Sequence, residues 1–115
     1  MKAKIYHNPR CSKSREGLKL LEERGVDIDV VEYLKTPPTE DEIRDLLGRL
    51  GLEAADIVRA GEPAFKESGL SLESPPEKLT ALIAKEPIVL ERPIVVVGDS
   101  ARIGRPPERI LELLA

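Results

Sequence analysis

Ile94-Val95-Val96-Val97 is an unbroken β-branched run set between Arg92-Pro93 and Gly98-Asp99-Ser100. A strand with no polar side chain must be covered on both faces, so this run predicts a central strand of an α/β fold. Gly98-Asp99-Ser100 reads as a hairpin loop, with Ala101 to Gly104 as the partner strand. Towards the N-terminus, Lys2 to Tyr6 and Ile28 to Leu34 read as two more strands. Between them, Leu18, Leu20 and Leu21 give a helix its apolar stripe, and Gly25 stops it. The first segment is therefore βαβ, with parallel strands and a right-handed crossover expected.

Pro37-Pro38 breaks the chain, and Thr39 and Glu42 stand at capping-box spacing before a helix through Leu46, Leu47 and Leu50. Residues 52–73 predict short helices and turns, Ala54 to Val58 and Pro63 to Ser68, after which Pro75-Pro76 opens a helix through Leu79, Leu82 and Ile83. Pro106-Pro107 starts a last helix carrying Ile110, Leu111 and Leu114. The order is βαβ, a helical block, then ββα. With a thiol at the first βα junction and an X-Pro bond entering the third strand, it resembles the thioredoxin/glutaredoxin fold. A single domain over residues 1–115 is expected, with a helical insertion at about 37–87 between the second and third strands.

Composition narrows the partners. Tyr6, Tyr33 and Phe65 are the only aromatics, so the core is aliphatic and no base-stacking platform exists. A net charge of −3 leaves no basic footprint, and nucleic acid is not expected as a partner. No stretch is long enough to span a bilayer and Met1 to His7 lack an apolar signal core, so a cytoplasmic protein without a membrane partner is expected, as a monomer.

Cys11 is the only cysteine and His7 the only histidine. The thiol falls at a predicted helix N-terminus beside His7, Arg10, Lys13 and Arg15, all of which favour thiolate over thiol. Without further cysteines or histidines, neither a metal site nor an internal disulfide is expected. Cys11-Ser12-Lys13-Ser14 is C-x-x-S, so an oxidised or adducted Cys11 must be released by an external thiol. Gly17 excludes the C-x5-R phosphatase loop. His7 reads either as a structural histidine or as a group that stabilises the sulfur's negative charge. Arg59, Arg92 and Arg105 each adjoin a structural break and offer bidentate donors for an oxyanion, or else are solvated surface residues.

Four motifs in order, His7-Asn8-Pro9-Arg10-Cys11-Ser12-Lys13-Ser14-Arg15, Tyr33-Leu34-Lys35-Thr36-Pro37-Pro38, Arg92-Pro93-Ile94-Val95 and Gly104-Arg105-Pro106, resemble the glutaredoxin-coupled arsenate reductases over essentially the whole chain. Gly61-Glu62-Pro63 after Arg59 adds to the match. The resemblance implies that Cys11 attacks arsenate, glutathione reduces the adduct and leaves a mixed disulfide, and glutaredoxin resolves it. No cofactor is bound in this scheme, and glutathione is a co-substrate. It also implies that Arg59, Arg92 and Arg105 bind the oxyanion, that His7 is catalytic beside Cys11 by favouring its thiolate, that Asn8, Ser14 and Arg15 are supporting, and that Pro93 takes the fold's cis-proline position. Longer arsenate reductases often carry Cys-Gly-Thr-Ser at the nucleophile and extend past the last helix, so the likeness is to the short branch. Two alternatives keep the fold. One is a glutathione-dependent thiol transferase, and the other an Spx-like regulator without enzyme activity. Spx-type members commonly carry C-x-x-C, where this chain has Ser14.

Overall fold

The structure, a computed structural model, describes residues 1–114 and divides into two compact units, one of residues 1–36 and the chain from Arg92 onward, the other Pro37–Glu91. The first unit carries the sheet. Its elements are β1 (Lys2–Tyr6), α1 (Ser12–Glu23), β2 (Asp27–Val31), β3 (Ile94–Val97) and β4 (Ser100–Ile103), followed by a 3₁₀ segment at Pro107–Leu113. The strand order is β2-β1-β3-β4. β1 pairs parallel with β2 and antiparallel with β3, and β3 pairs antiparallel with β4. The expected α/β, thioredoxin-like arrangement is present, with the Ile94–Val97 run as an internal strand. Ala3, Ile5, Leu21, Val95 and Ile110 form the buried cluster, flanked by Leu18, Val26, Ile28 and Val97.

Several boundaries differ from the sequence expectation. β2 ends at Val31 rather than Leu34, because Glu32 C=O accepts hydrogen bonds from Lys35 N–H (2.9 Å) and Thr36 N–H (3.0 Å) and turns the chain. The hairpin turn is only Gly98-Asp99, with Gly98 at φ 58° and Val97 opposite Ser100, so β4 starts one residue early. Gly104 lies beyond β4, and its N–H donates to Pro93 C=O at 2.8 Å. The last helix is wound as 3₁₀, with i→i+3 bonds such as Arg109 N–H to Pro106 C=O at 3.0 Å. Both Arg92-Pro93 and Arg105-Pro106 are cis.

The second unit is helical: α2 (Glu40–Leu50), a 3₁₀ turn at Ala54–Ile57, α3 (Pro63–Glu67), α4 (Pro76–Lys85) and a 3₁₀ turn at Pro87–Val89. The capping box is formed on both sides, with Glu42 N–H donating to Thr39 Oγ1 at 3.1 Å and Thr39 N–H to Glu42 Oε1 at 3.2 Å. Gly51 ends α2 in the left-handed region at φ 69°. Ile43, Leu46, Ile57, Phe65, Leu79, Ile83, Val89 and Leu90 are buried in this unit. Among the described residues no helix is long and apolar enough to cross a membrane.

Two glycines of the first unit mark its tightest packing. A Cβ on Gly17 would lie 2.8 Å from Ile110 Cδ1 and 3.0 Å from Pro93 Cγ, and one on Gly104 would lie 2.8 Å from both atoms. The Pro93 ring is rigid and cannot swing aside. Gly48, an exposed α2 residue, meets nothing within 4 Å. Replacing a helical glycine by alanine normally gains about 1 kcal/mol. We expect Gly48→Ala to gain roughly that, while overpacking makes Gly17→Ala a net loss of about 1–2 kcal/mol. Urea denaturation midpoints of the two variants test this, and a rise in both would contradict the packing account.

Candidate active site

The loop between β1 and α1 is built by short-range hydrogen bonds. His7 N–H extends the ladder to Val31 C=O at 2.8 Å, and Cys11 N–H then donates to Asn8 C=O at 3.0 Å. Arg10 N–H donates to Asn8 Oδ1 at 3.0 Å, an Asx turn that tightens the bend. Ser14, on the first turn of α1, ties the loop down: its Oγ accepts from Asn8 N–H at 2.9 Å and lies 2.8 Å from His7 Nδ1. Ser14, His7 and Asn8 are all buried.

Because Ser14 Oγ accepts from Asn8, its own proton is available to His7 Nδ1, which suits the neutral Nε2–H tautomer. Burial lowers the His7 pKa below its ordinary value; Glu32 opposes this, Arg15 adds to it, and a backbone contact with Ser14 opposes it. Burial thus favours the neutral imidazole. Its observed contact is with Ser14, and through Ser14 with the helix that carries the thiol.

Cys11 occupies the N-cap position of α1, with extended φ −95° and ψ 123°. No fixed side-chain bond caps the helix there, yet the amides of Ser14 and Lys13 lie close enough to stabilise charge on sulfur. Burial alone raises the thiol pKa. The Ser14 amide, the Arg92 guanidinium, by hydrogen bond and by charge, and the Lys13 amide together outweigh it, so the thiol titrates below its ordinary value. Arg105 adds a second guanidinium, with Nη2 donating to Cys11 Sγ at 3.7 Å. Arg105 Nε also donates to Arg92 C=O at 2.8 Å, which fixes the plane of its fork.

Arg15 and Lys13, close to the thiol in sequence, are engaged elsewhere. Arg15 Nη1 donates to Pro9 C=O at 2.8 Å, closing the loop from outside, and Lys13 pairs with Glu16 at 3.5 Å on the exposed helix face. The first unit thus brings together Cys11, His7, Asn8, Ser14, Arg15, Arg92, Pro93 and Arg105, with Pro93 packed between Gly17 and Gly104.

Arg59 lies in the second unit. Its Nε donates to Glu62 Oε1 at 3.3 Å and its Nη1 to Glu91 Oε1 at 3.1 Å. A short antiparallel bridge supports it: Arg59 N–H donates to Val89 C=O at 2.7 Å, Glu91 N–H to Ile57 C=O at 2.8 Å, and Val58 stands opposite Leu90. Glu91 immediately precedes Arg92 in the chain. Sequence reading did not single out Glu62 or Glu91 as partners of Arg59. The i,i+3 spacing could have suggested Glu62, whereas nothing in the sequence signals Glu91, 32 residues away. Among the described residues no group of three or more His, Cys, Asp or Glu could hold a metal ion.

A thioredoxin-like sheet with one thiol at a helix N-cap and two guanidinium groups on its sulfur defines the class. The ArsC family profile matches residues 6–113, and the chain belongs to that family. It is 50% identical to the uncharacterized protein YfgD of Escherichia coli K12, covering 96% of this chain and 95% of that one. It is 47% identical to an arsenate reductase of Neisseria meningitidis, covering 96% and 97% respectively. The solved arsenate reductase from Vibrio cholerae superimposes with a TM-score of 0.94 at 45% identity, over 98% of both chains.

The lowered Cys11 pKa has a direct readout. Thiolate forms at lower pH than in an ordinary cysteine, so the alkylation rate should reach half its plateau on the acid side of a free-thiol control. Arg92→Ala removes a donor and a charge while leaving the burial, so the midpoint should move to higher pH. Iodoacetamide kinetics against pH, with Cys11→Ser as the blank, would refute the assignment if both proteins titrated like free cysteine.

Proposed function

We propose that the chain is an arsenate reductase that uses Cys11 as its single nucleophile and glutathione with glutaredoxin as reductant. The observation that carries this reading is Arg105 Nη2 donating to Cys11 Sγ at 3.7 Å, with the Arg92 guanidinium lowering the pKa of the same thiol. Donors that stabilise a thiolate are also positioned to receive the oxygens of the anion it attacks. The names of the Neisseria and Vibrio relatives agree with it.

In this reading Cys11 thiolate attacks the arsenic of arsenate, an S–As bond forms, and one oxygen leaves as water after taking up protons. Arg92 and Arg105 hold the remaining oxygens, and Arg59 is a third guanidinium proposed for them. A glutathione thiolate then attacks Cys11 sulfur, and the S–As electron pair stays on arsenic. Arsenic(V) becomes arsenic(III), and the two sulfurs are joined as a mixed disulfide. A glutaredoxin thiolate takes the glutathione, and Cys11 returns as thiolate. His7, Asn8, Ser14 and Arg15 have supporting roles, shaping the loop that presents the sulfur. Glutathione and glutaredoxin belong to a reducing compartment, so the reading places the protein in the cytoplasm.

Incubation with arsenate and glutathione, without glutaredoxin, should leave one glutathione disulfide-linked to Cys11 by intact mass, and added glutaredoxin should remove it. Charged hydrogen bonds contribute about 1.5–3 kcal/mol each, so Arg105→Ala should lower kcat/KM for arsenate by roughly ten-fold or more. Glutathionylation that proceeds equally with a small disulfide and never depends on arsenate would favour a thiol transferase instead.

A further inference from the structure

We infer that Glu91, with Glu62, is a specificity-determining residue that sets oxyanion affinity by occupying the donor edges of Arg59. The inference rests on the proposed role of Arg59 as an oxyanion ligand. A guanidinium offers an oxyanion two bidentate edges, Nε with Nη2 and Nη1 with Nη2. In the structure one donor of each edge is taken, Nε by Glu62 at 3.3 Å and Nη1 by Glu91 at 3.1 Å. An anion that grips Arg59 through Nε must displace Glu62, and one that uses Nη1 must share that nitrogen with Glu91.

This arrangement is fixed by the fold. The backbone bridge between 57–59 and 89–91 sets Arg59 beside Glu91, and Glu62 is held one turn on, its N–H donating to Arg59 C=O at 3.1 Å. The three side chains are about a quarter exposed, 27% for Arg59, 23% for Glu91 and 21% for Glu62, so water screens the pairs only partly. Two carboxylates facing one guanidinium also reverse the local charge, which works against a dianion by Coulomb repulsion. Both effects have one sign: each carboxylate weakens anion binding and makes it depend on how strongly the anion competes. A glutamine keeps an Oε1 acceptor for the Arg59 N–H while removing the charge, so Glu→Gln separates competition from support.

Calorimetric titration of the full-length chain with inorganic arsenate and with inorganic phosphate tests this in Glu91→Gln, Glu62→Gln, Arg59→Ala and the Arg59→Ala/Glu91→Gln double variant. Glu91→Gln should bind both anions roughly five-fold more tightly or better, Glu62→Gln should act in the same direction, and the gain should largely vanish without Arg59. Unchanged or weaker binding in both glutamine variants overturns the inference. So does an equal gain with and without Arg59, which would reduce the effect to net charge. If Arg59→Ala alone leaves binding unaltered, the assignment of Arg59 as an anion ligand fails and the inference falls with it. If Arg59→Ala weakens binding but the glutamine variants do not tighten it, the inference alone fails.

Discussion

Absence of a side chain at Gly17 and Gly104 lets three separate stretches of the first unit close to contact. Gly17 is on the buried side of α1, Gly104 lies just past β4, and the Pro93 ring and Ile110 fill the space between them. The residue before Pro93 is Arg92 and the residue after Gly104 is Arg105. Both guanidinium groups therefore reach Cys11 because the backbone beneath them is packed without a methyl group to spare. Close packing at the glycines sets the backbone from which the two arginines act on the sulfur.

That electrostatic balance sets opposing effects against each other. Burial disfavours the thiolate, and the contributions that reverse it come from backbone amides at a helix start and from arginines on distant segments. Helix N-termini and guanidinium donors act over short distances, so their effect depends on the Cys11 φ/ψ and on the loop bonds that fix it. The hydrogen bond from Arg105 Nε to Arg92 C=O makes the two arginines one assembly.

Much of this was legible in the sequence where local chemistry decides the outcome. Four β-branched residues made β3, Thr39 and Glu42 made a capping box, Gly25 and Gly51 ended helices, and Cys11 fell at the start of α1. Sequence reading stopped where tertiary contacts override pattern. Val30 to Leu34 is β-branched and aromatic enough for a strand, but the Glu32 carbonyl turns the chain and Tyr33 becomes fully buried outside the sheet. Proximity in sequence also misled: Lys13 and Arg15 flank the thiol, yet they bind Glu16 and the Pro9 carbonyl, and Arg92 and Arg105 take the place by the sulfur.

The buried Ser14 hydroxyl constrains what this lineage can become. A single codon change from serine to cysteine would turn C-x-x-S into the dithiol C-x-x-C. In this chain that change would replace an oxygen holding Asn8 N–H at 2.9 Å and His7 Nδ1 at 2.8 Å with a larger, weakly accepting sulfur that has no exposure to solvent. The new thiol would be buried, and the loop presenting Cys11 would lose its anchor. A second cysteine at this position would therefore come at the expense of the hydrogen bonds that hold the loop before α1.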